Sequence, residues 1–520
     1  MHENREISRT SCSKEQDRSA KAINQTADMH VPEKSDCAVV PVNQSNREAQ
    51  ASAEAGEGRA QTKENIVQSH MRPTQSGQRV SQGLHGVRQA ARKRKQERFT
   101  ALLHHLNVGL LRDSFYALKR QASPGIDGVK WPEYEPGLED RLTDLHSRVH
   151  RGAYRAQPSR RVYIPKADGR QRPLGVAALE DKIVQQAVVT VLNQIYEADF
   201  KGFSYGFRPG RSPHQALDAL TVGIQRKRVN WVIDADIRGF FDNMSHEWTM
   251  KFIEHRVADR RILRLLQKWL KAGVSEDGRR SETKVGTPQG AVASPLLANV
   301  YLHYVFDLWV EVWRKKVARG DVIAVRYADD LVVGFQHRAD AERFLSEFRD
   351  RLVRFGLELH PDKTRLIEFG RFAVRNRKQR GQGKPETFTF LGFTHFCGNL
   401  TSSGAFNVWR MTAKKRMVAK LHVIKAELQY RKHHRTSEVG AWLRKVVQGY
   451  YQYHAVPGNT GQLRVFRRRV CRLWRSVLIR RSQRAQVGWD RLNPLFNRWI
   501  PHPRVLHPYP DKRFDAIHPR

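Results

Sequence analysis

Two apolar runs in this chain carry aspartates where an ordinary buried strand carries none. Residues 324–335 read AVRYADDLVVGF, with Asp329 and Asp330 set between Ala324–Val325 and Leu331–Phe335. Residues 231–246 read WVIDADIRGFFDNMSH, an apolar run that takes Asp234 and Asp236 into a Gly-Phe-Phe turn. Burying unpaired carboxylates is costly, and adjacent ones repel each other. In an extended chain alternate residues share a face, so Asp234 and Asp236 lie opposite Ile233 and Ile237. If the two runs are neighbouring strands, Asp236 and Asp329 meet at one sheet edge. A hard, oxygen-seeking dication relieves that repulsion, and Mg²⁺ favours a few carboxylates completed by substrate phosphates. Two such ions about 4 Å apart are the apparatus of in-line phosphoryl transfer.

Composition points the same way. The 520 residues include 92 Lys+Arg against 52 Asp+Glu, a net charge of +40. So large an excess calls for a polyanionic partner, nucleic acid ahead of an anionic membrane. No apolar run approaches the ~20 residues needed to span a bilayer, and no basic-then-apolar leader opens the chain. An intracellular, cytoplasmic protein with no membrane partner is expected, associated with the nucleoid when bound to target DNA. Cys12, Cys37, Cys397 and Cys471 lie far apart with no C-x-x-C pair, so isolated reduced thiols are expected.

The chain divides by character. Residues 1–85 are rich in Ser, Gln, Glu, Asn and Ala and read as a disordered extension. Residues 86–145 open with the basic helical stretch VRQAARKRKQERFTALLHHL. Residues 146–395 mix strand-like runs (RRVYIP, WVIDADI, VIAVRYA, LVVGF, FTFLGF) with helical periods such as EDKIVQQAVVTVLNQIYEADF and ADAERFLSEFRDRLVRFG, an α+β pattern. After residue 408 strands are expected to stop. Met417, Leu421, Ile424 and Leu428 recur at helical spacing, as do Trp442, Val446 and Tyr450, and Phe466, Val470, Leu473 and Val477. Residues 408–520 carry 26 Lys+Arg against five Asp+Glu. Aromatics are interleaved with arginines in RVFRRRVCRLWRSVLIRR, a pattern suited to nucleic acid, so Arg467, Arg468 and Arg469 are candidate RNA contacts.

The aspartate runs also carry a resemblance. YADD after an apolar strand, with DIRGFFD before it, resembles the catalytic palm of reverse transcriptases. The other blocks of that family follow in order: RRVYIPKADGRQRPLG (160–175), YGFRPGRSPHQAL (205–217), GTPQGAVASPLLANVYLH (286–303), LELHPDKT (357–364) and FTFLGF (388–393). SPGIDGV (123–129), ahead of the fingers, and GYYQYH (449–454), in the basic tail, resemble group II intron reverse transcriptases and their maturase domain. No His/Cys-rich module follows the tail, so the resemblance implies a bacterial form without the HNH endonuclease of some relatives.

The resemblance implies a right-hand polymerase of α+β class: fingers, palm and thumb, the thumb continuing into a helical maturase domain. It implies RNA-templated DNA synthesis from deoxynucleoside triphosphates with Mg²⁺. The implied partners are a DNA primer or target and structured intron RNA, which the protein would bind to assist splicing and mobility. By position, Asp236, Asp329 and Asp330 would be catalytic metal ligands, with Asp234 and Asp242 in supporting roles. Lys166, Arg172 and Lys363 would face the triphosphate, Gln289 the incoming nucleotide, and Tyr327 the primer end. Phe241 would stand under the sugar as a steric gate, Phe240 being the better core residue if the two alternate on a strand. Three other readings stay open: an RNA-binding maturase with an inactive polymerase, a domesticated reverse transcriptase with a host role such as antiviral defence, and an RNA-dependent RNA polymerase.

Overall fold

The computed structural model describes residues 75–165, 171–276, 278–281, 285–400, 403–481 and 488–518, the side chains of 75–81 and 165 excepted. Most of the expected N-terminal disorder, with Cys12 and Cys37, lies outside the described residues, as does Lys166. A helix, α1 (Gln75–Lys93), begins inside the stretch read as disordered and ends before the Phe-Thr-Ala-Leu-Leu run expected to continue it. Three buried apolar residues, Leu84, Val87 and Ala91, explain why it forms: they seal onto the main core.

The RRVYIP run is β1 (Ser159–Pro165), paired antiparallel with β2 (Gln171–Val176). Two long helices follow, α2 (Leu179–Asp199) and α3 (Pro213–Arg226). Ser212 and Gln215 cap α3 reciprocally, and Pro213 occupies its first turn, a strong start signal. The aspartate strands then assemble. Strand β3 (Trp231–Asp236) lies between β7 (Asp330–Phe335) and β8 (Arg365–Glu368), with β6 (Val322–Tyr327) outside β7, all antiparallel. Short strands β4 (Val274–Glu276) and β5 (Arg279–Ser281) extend the β1–β2 sheet instead.

Alternation in the central sheet is as expected. Ile233, Ala235, Leu331 and Val333 face the largest core, while Val232, Val325, Val332 and Ile367 face a second core shared with α3. Asp234 and Asp236 share the face of Val232. The first core is completed by α4 (Ser294–Leu302), a π-helical turn (His303–Asp307), α5 (Leu308–Lys316) and α6 (Arg338–Arg354). A short basic helix, α7 (Ala373–Gln379), leads to a second sheet of β9 (Phe388–Phe390), β10 (Phe393–Asn399) and β11 (Phe406–Thr412). Strand structure therefore runs four residues past 408, because residues 406–412 pair fully with β10.

The tail is helical and has more helices than the three read from its periodicity. Helices α8 (Lys414–Tyr430), α9 (Thr436–His454) and α10 (Thr460–Ile479) share a separate core with α11 (Trp489–Trp499). A last helix, α12 (Pro510–Ile517), returns to α3, where Arg226 makes a two-pronged contact with Asp515 at 2.7 Å and Arg513 reaches the buried Asp218 at 3.2 Å.

One buried ion pair holds the Asp329–Asp330 hairpin. Arg326, with no exposed surface, donates to both Asp307 oxygens (2.7 and 2.6 Å), to Asn299 Oδ1 (2.9 Å) and to the Ala328 carbonyl (3.2 Å). Burial alone would raise the Asp307 carboxyl, but Arg326 and His303 outweigh it and hold the group below its usual range. The π turn presents Asp307 to Arg326, a widening of the kind often found at functional sites. Removing either partner leaves the other charged and buried, so Arg326→Ala or Asp307→Ala should lower the unfolding free energy by about 3–5 kcal/mol. An apolar replacement of both, Arg326→Met with Asp307→Leu, should recover most of that loss in urea titrations. Because the folded carboxyl is depressed, the pair stabilises above the unfolded pKa and less as pH falls through the folded one. Wild type and the apolar double variant should therefore converge in stability in acid. A wild-type stability that holds level in acid against the double variant would refute the charged pair as the source.

Candidate active site

The site lies where β3 and the β6–β7 hairpin end side by side. Asp236 and Asp330 are register partners across β3 and β7, and Tyr327 opposes Asp330 across β6 and β7. Ala328 and Asp329 form the two-residue turn. Ala328 has φ +55°, a left-handed conformation that costs a non-glycine residue about 1–2 kcal/mol. The Arg326 bond to its carbonyl offsets that cost. The Tyr-Gly-Phe block packs against the same turn: a Cβ on Gly206 would lie 2.3 Å from the Ala328 nitrogen. Asn299 clamps both pieces, donating to the Gly206 carbonyl (2.7 Å) while accepting from Arg326. This clamp was invisible in the sequence, because Asn299 and Asp307 belong to none of the carboxylate-bearing strand runs that mark the site.

Beside Asp236, the segment 357–364 closes the edge. Leu359 bridges Ile237, and the His360 amide donates to the Asp236 carbonyl at 2.8 Å. This places Lys363 Nζ 2.7 Å from Asp236 Oδ2. Asp234 is directed instead to Arg365, 3.5 Å away. Burial is the main cause of its rise to about 6, opposed by Arg365 and assisted by Asp236.

Phe240 and Phe241 occupy a one-turn helix (Phe240–Asn243) after Gly239, which has φ +53°. They are not on a strand, so alternation does not separate them, and both are buried, Phe240 at 2% exposure and Phe241 at 6%. Phe241 meets the Gly-Thr-Pro-Gln-Gly turn through its backbone: its carbonyl accepts from the Thr287 amide at 2.8 Å. That turn passes so close to Asp242 that a Cβ on Gly286 would lie 2.6 Å from the Asp242 carbonyl oxygen. Gly286 (φ +87°) and Gly290 (φ +108°) both require glycine's freedom. On its far side the turn meets β2, where the Gly175 amide donates to the Gln289 carbonyl at 2.7 Å. Arg172, on β2 opposite Ile164, stands on that same hairpin.

Hard carboxylate oxygens at an open edge, with a cation already drawn to Asp236, suit a dication completed by phosphates. Among the described residues no three His, Cys, Asp or Glu are arranged to hold a metal ion. The three aspartates expected as ligands therefore do not form a closed cage, and the charge of Asp236 is balanced by Lys363. In the tail, Arg467 bonds to Asn497 Oδ1 (2.8 Å) and the Ile500 carbonyl (3.2 Å), bracing α11, whereas Arg468 and Arg469 are exposed. No helix among the described residues is long and apolar enough to cross a membrane. Cys397 and Cys471 are free thiols, as expected.

The reverse transcriptase (RNA-dependent DNA polymerase) family profile matches residues 164–395. Protein YkfC of Escherichia coli K12 is 35% identical over 299 residues, covering 50% of this chain and 78% of YkfC. Group II intron-encoded protein LtrA of Lactococcus lactis is 36% identical over 217 residues, 41% of this chain and 36% of LtrA. Nuclear intron maturase 1 of Arabidopsis thaliana is 28% identical over 111 residues, 21% of this chain and 15% of that protein. This chain thus spans most of YkfC but only about a third of LtrA. With the aspartate hairpin, the glycine turn and these relatives in agreement, the chain belongs to the reverse transcriptase family.

Proposed function

We propose that this protein is an RNA-directed DNA polymerase of group II intron type, which copies intron RNA into DNA and binds that RNA to assist splicing. The observation that carries the reading is the convergence of Asp236, the Asp329–Asp330 turn, Lys363 and the glycine turn on one edge of the central sheet. In this reading the β1–β2 sheet belongs to the fingers, the central sheet to the palm, and the α8–α11 bundle to the thumb and maturase domain. Asp236 and Asp329 would hold Mg²⁺, with Asp330 alongside. Bound there, Mg²⁺ would supply Lewis-acid stabilisation of the attacking and leaving oxygens.

The chain's own residues do the positioning. Lys363 moves from Asp236 to the incoming triphosphate, joined by Arg172 and Lys166, and their charge meets the charge that develops on transfer. Gln289 presents its turn to the nucleotide, and Phe241, fixed by its bond to Thr287, sets the floor beneath the sugar. The inactive-maturase and RNA-polymerase readings fit less well with intact aspartates and an aromatic at position 241.

Asp329→Ala should abolish primer extension on an RNA template by several orders of magnitude while RNA binding survives. Near-normal extension by the purified variant would remove Asp329 from catalysis. Trimming Phe241 to Val should raise incorporation of ribonucleotides relative to deoxyribonucleotides. An unchanged ratio in an active variant would make Phe241 a core residue and not a gate. In the tail, neutralising Arg468 and Arg469 should flatten the salt dependence of intron RNA binding by up to about two units of log slope. Neutralising Arg467 should act chiefly on thermal stability, through α11. Parallel salt lines at equal affinity would assign Arg468 and Arg469 to a solvated face.

A further inference from the structure

Outside the active site the chain holds a groove of about 710 Å³ between α7 with its following turn and the outer face of the β10–β11 hairpin. Lys378, Lys384, Thr394, Phe396 and Met411 are among its walls. Residues 370–385 carry Arg371, Arg375, Arg377, Lys378, Arg380 and Lys384 and no acid, a run that the catalytic reading leaves unused. The lip is built firmly. The buried Glu368 accepts from Arg380 and, at 3.1 Å, from Asn376, and Arg377 Nε donates to the Gly383 carbonyl at 3.2 Å. Arg371 reaches the Gln225 carbonyl at 3.2 Å. Among the described residues, Arg375, Lys378 and Lys384 pair with no carboxylate, and Phe372 and Val374 stay exposed beside them.

Cations on one wall with an aromatic and a thioether on the other form a surface for an unstacked base and its phosphate. The volume is that of a site for a drug-sized ligand, so it admits one or two nucleotides and not a duplex. The groove has walls of its own, none of them a residue assigned to the catalytic edge. Its link to that edge runs through Arg365, which donates to the Thr387 carbonyl at 3.2 Å and lies 3.5 Å from Asp234. The thiol of Cys397, also on the wall, is pushed up to about 12 by burial and is no nucleophile here.

We infer that this groove binds a single-stranded segment of RNA, its bases against Phe396 and Met411 and its phosphates on Lys378 and Lys384. The inference rests on the RNA-binding reading above and adds a second RNA site to it. The test uses the full chain, an oligo(U) 12-mer and a fully paired RNA duplex of equal length. Lys378→Glu with Lys384→Glu should weaken the 12-mer about tenfold and lower its salt slope by about 1.4, with a much smaller effect on the duplex. Reversing two exposed arginines of α6, Arg349 and Arg354, controls for net charge and should leave 12-mer binding near wild type. In the wild type, a 4-thiouridine 12-mer should crosslink to peptides containing Phe396 or Met411. Equal loss on single strand and duplex, the same loss in the α6 control, or crosslinks only elsewhere would overturn the site. A rise in KM for a short primer–template in the Lys378/Lys384 variant would put the groove on the duplex path and overturn it as a separate site. Primer extension by the wild type reads the polymerase assignment on its own, so the two ideas fail separately.

Discussion

The Arg326–Asp307 pair sits under the aspartate hairpin of the candidate site. A guanidinium with no access to water is tolerable only when its donors are matched, and here Asp307, Asn299 and Ala328 match them. The same arginine's backbone joins the loop at 203–205: its amide donates to the Phe203 carbonyl, and its carbonyl accepts from Tyr205. One residue thus links the hairpin, the π turn and the Tyr-Gly-Phe loop. Each link fixes the position of Ala328 and, through it, Asp329. The cost of burying two charges is offset by matched hydrogen bonds that tie the turn to its neighbours.

Close backbone packing explains the small residues around the site. Gly206 lies against the Ala328 amide, Gly286 against the Asp242 carbonyl, and Gly290 3.1 Å (by its notional Cβ) from the Gly175 carbonyl oxygen. The glycine turn is consequently pinned between Phe241 and β2, and it ties the β1–β2 sheet to the central one. A side chain at any of these glycines would push apart the backbones that meet there. The left-handed Phe207 (φ +58°) belongs to the same arrangement, with Arg208 buried behind it on Glu197 and on the Lys201 and Ser204 carbonyls.

Much of this was legible in the sequence, and the gaps have physical causes. Near-continuous apolar runs interrupted by aspartates marked β3, β6 and β7, because a strand buried on both faces is apolar on both. Periodicity likewise marked α2, α6 and three of the four bundle helices, α8, α9 and α10. It missed β4, β5 and β8, which are short, and β2, which carries Pro173 and Gly175; all four are strands because a neighbour pairs with them. It placed Phe240 and Phe241 on a strand, when the left-handed Gly239 turns them into a helix. It could not separate arginines by role. Arg208, Arg326 and Arg410 are buried ion-pair partners, while Arg468 and Arg469 face water, yet all five read alike as positive charge.

That last distinction changes what the net charge of +40 means. Part of it is structural, and Asp218 shows how. This buried carboxylate of α3 takes Arg410 of β11 at 2.8 Å and Arg513 of α12 at 3.2 Å. It therefore joins the central core, the β9–β11 sheet and the end of the tail at one point. The packing around it is equally shared: the His214 ring of α3 lies tilted against that of His507, centroids 3.9 Å apart, and His507 Nε2 contacts the Gln452 carbonyl of α9. The helical bundle is thus fixed to the central sheet at both ends, through β11 where it begins and through α12 where it finishes. A bundle held this way presents its exposed arginines at a set position relative to Asp236 and Asp329. The charges inside set where the charges outside can reach, and the second group alone is available to a polyanion.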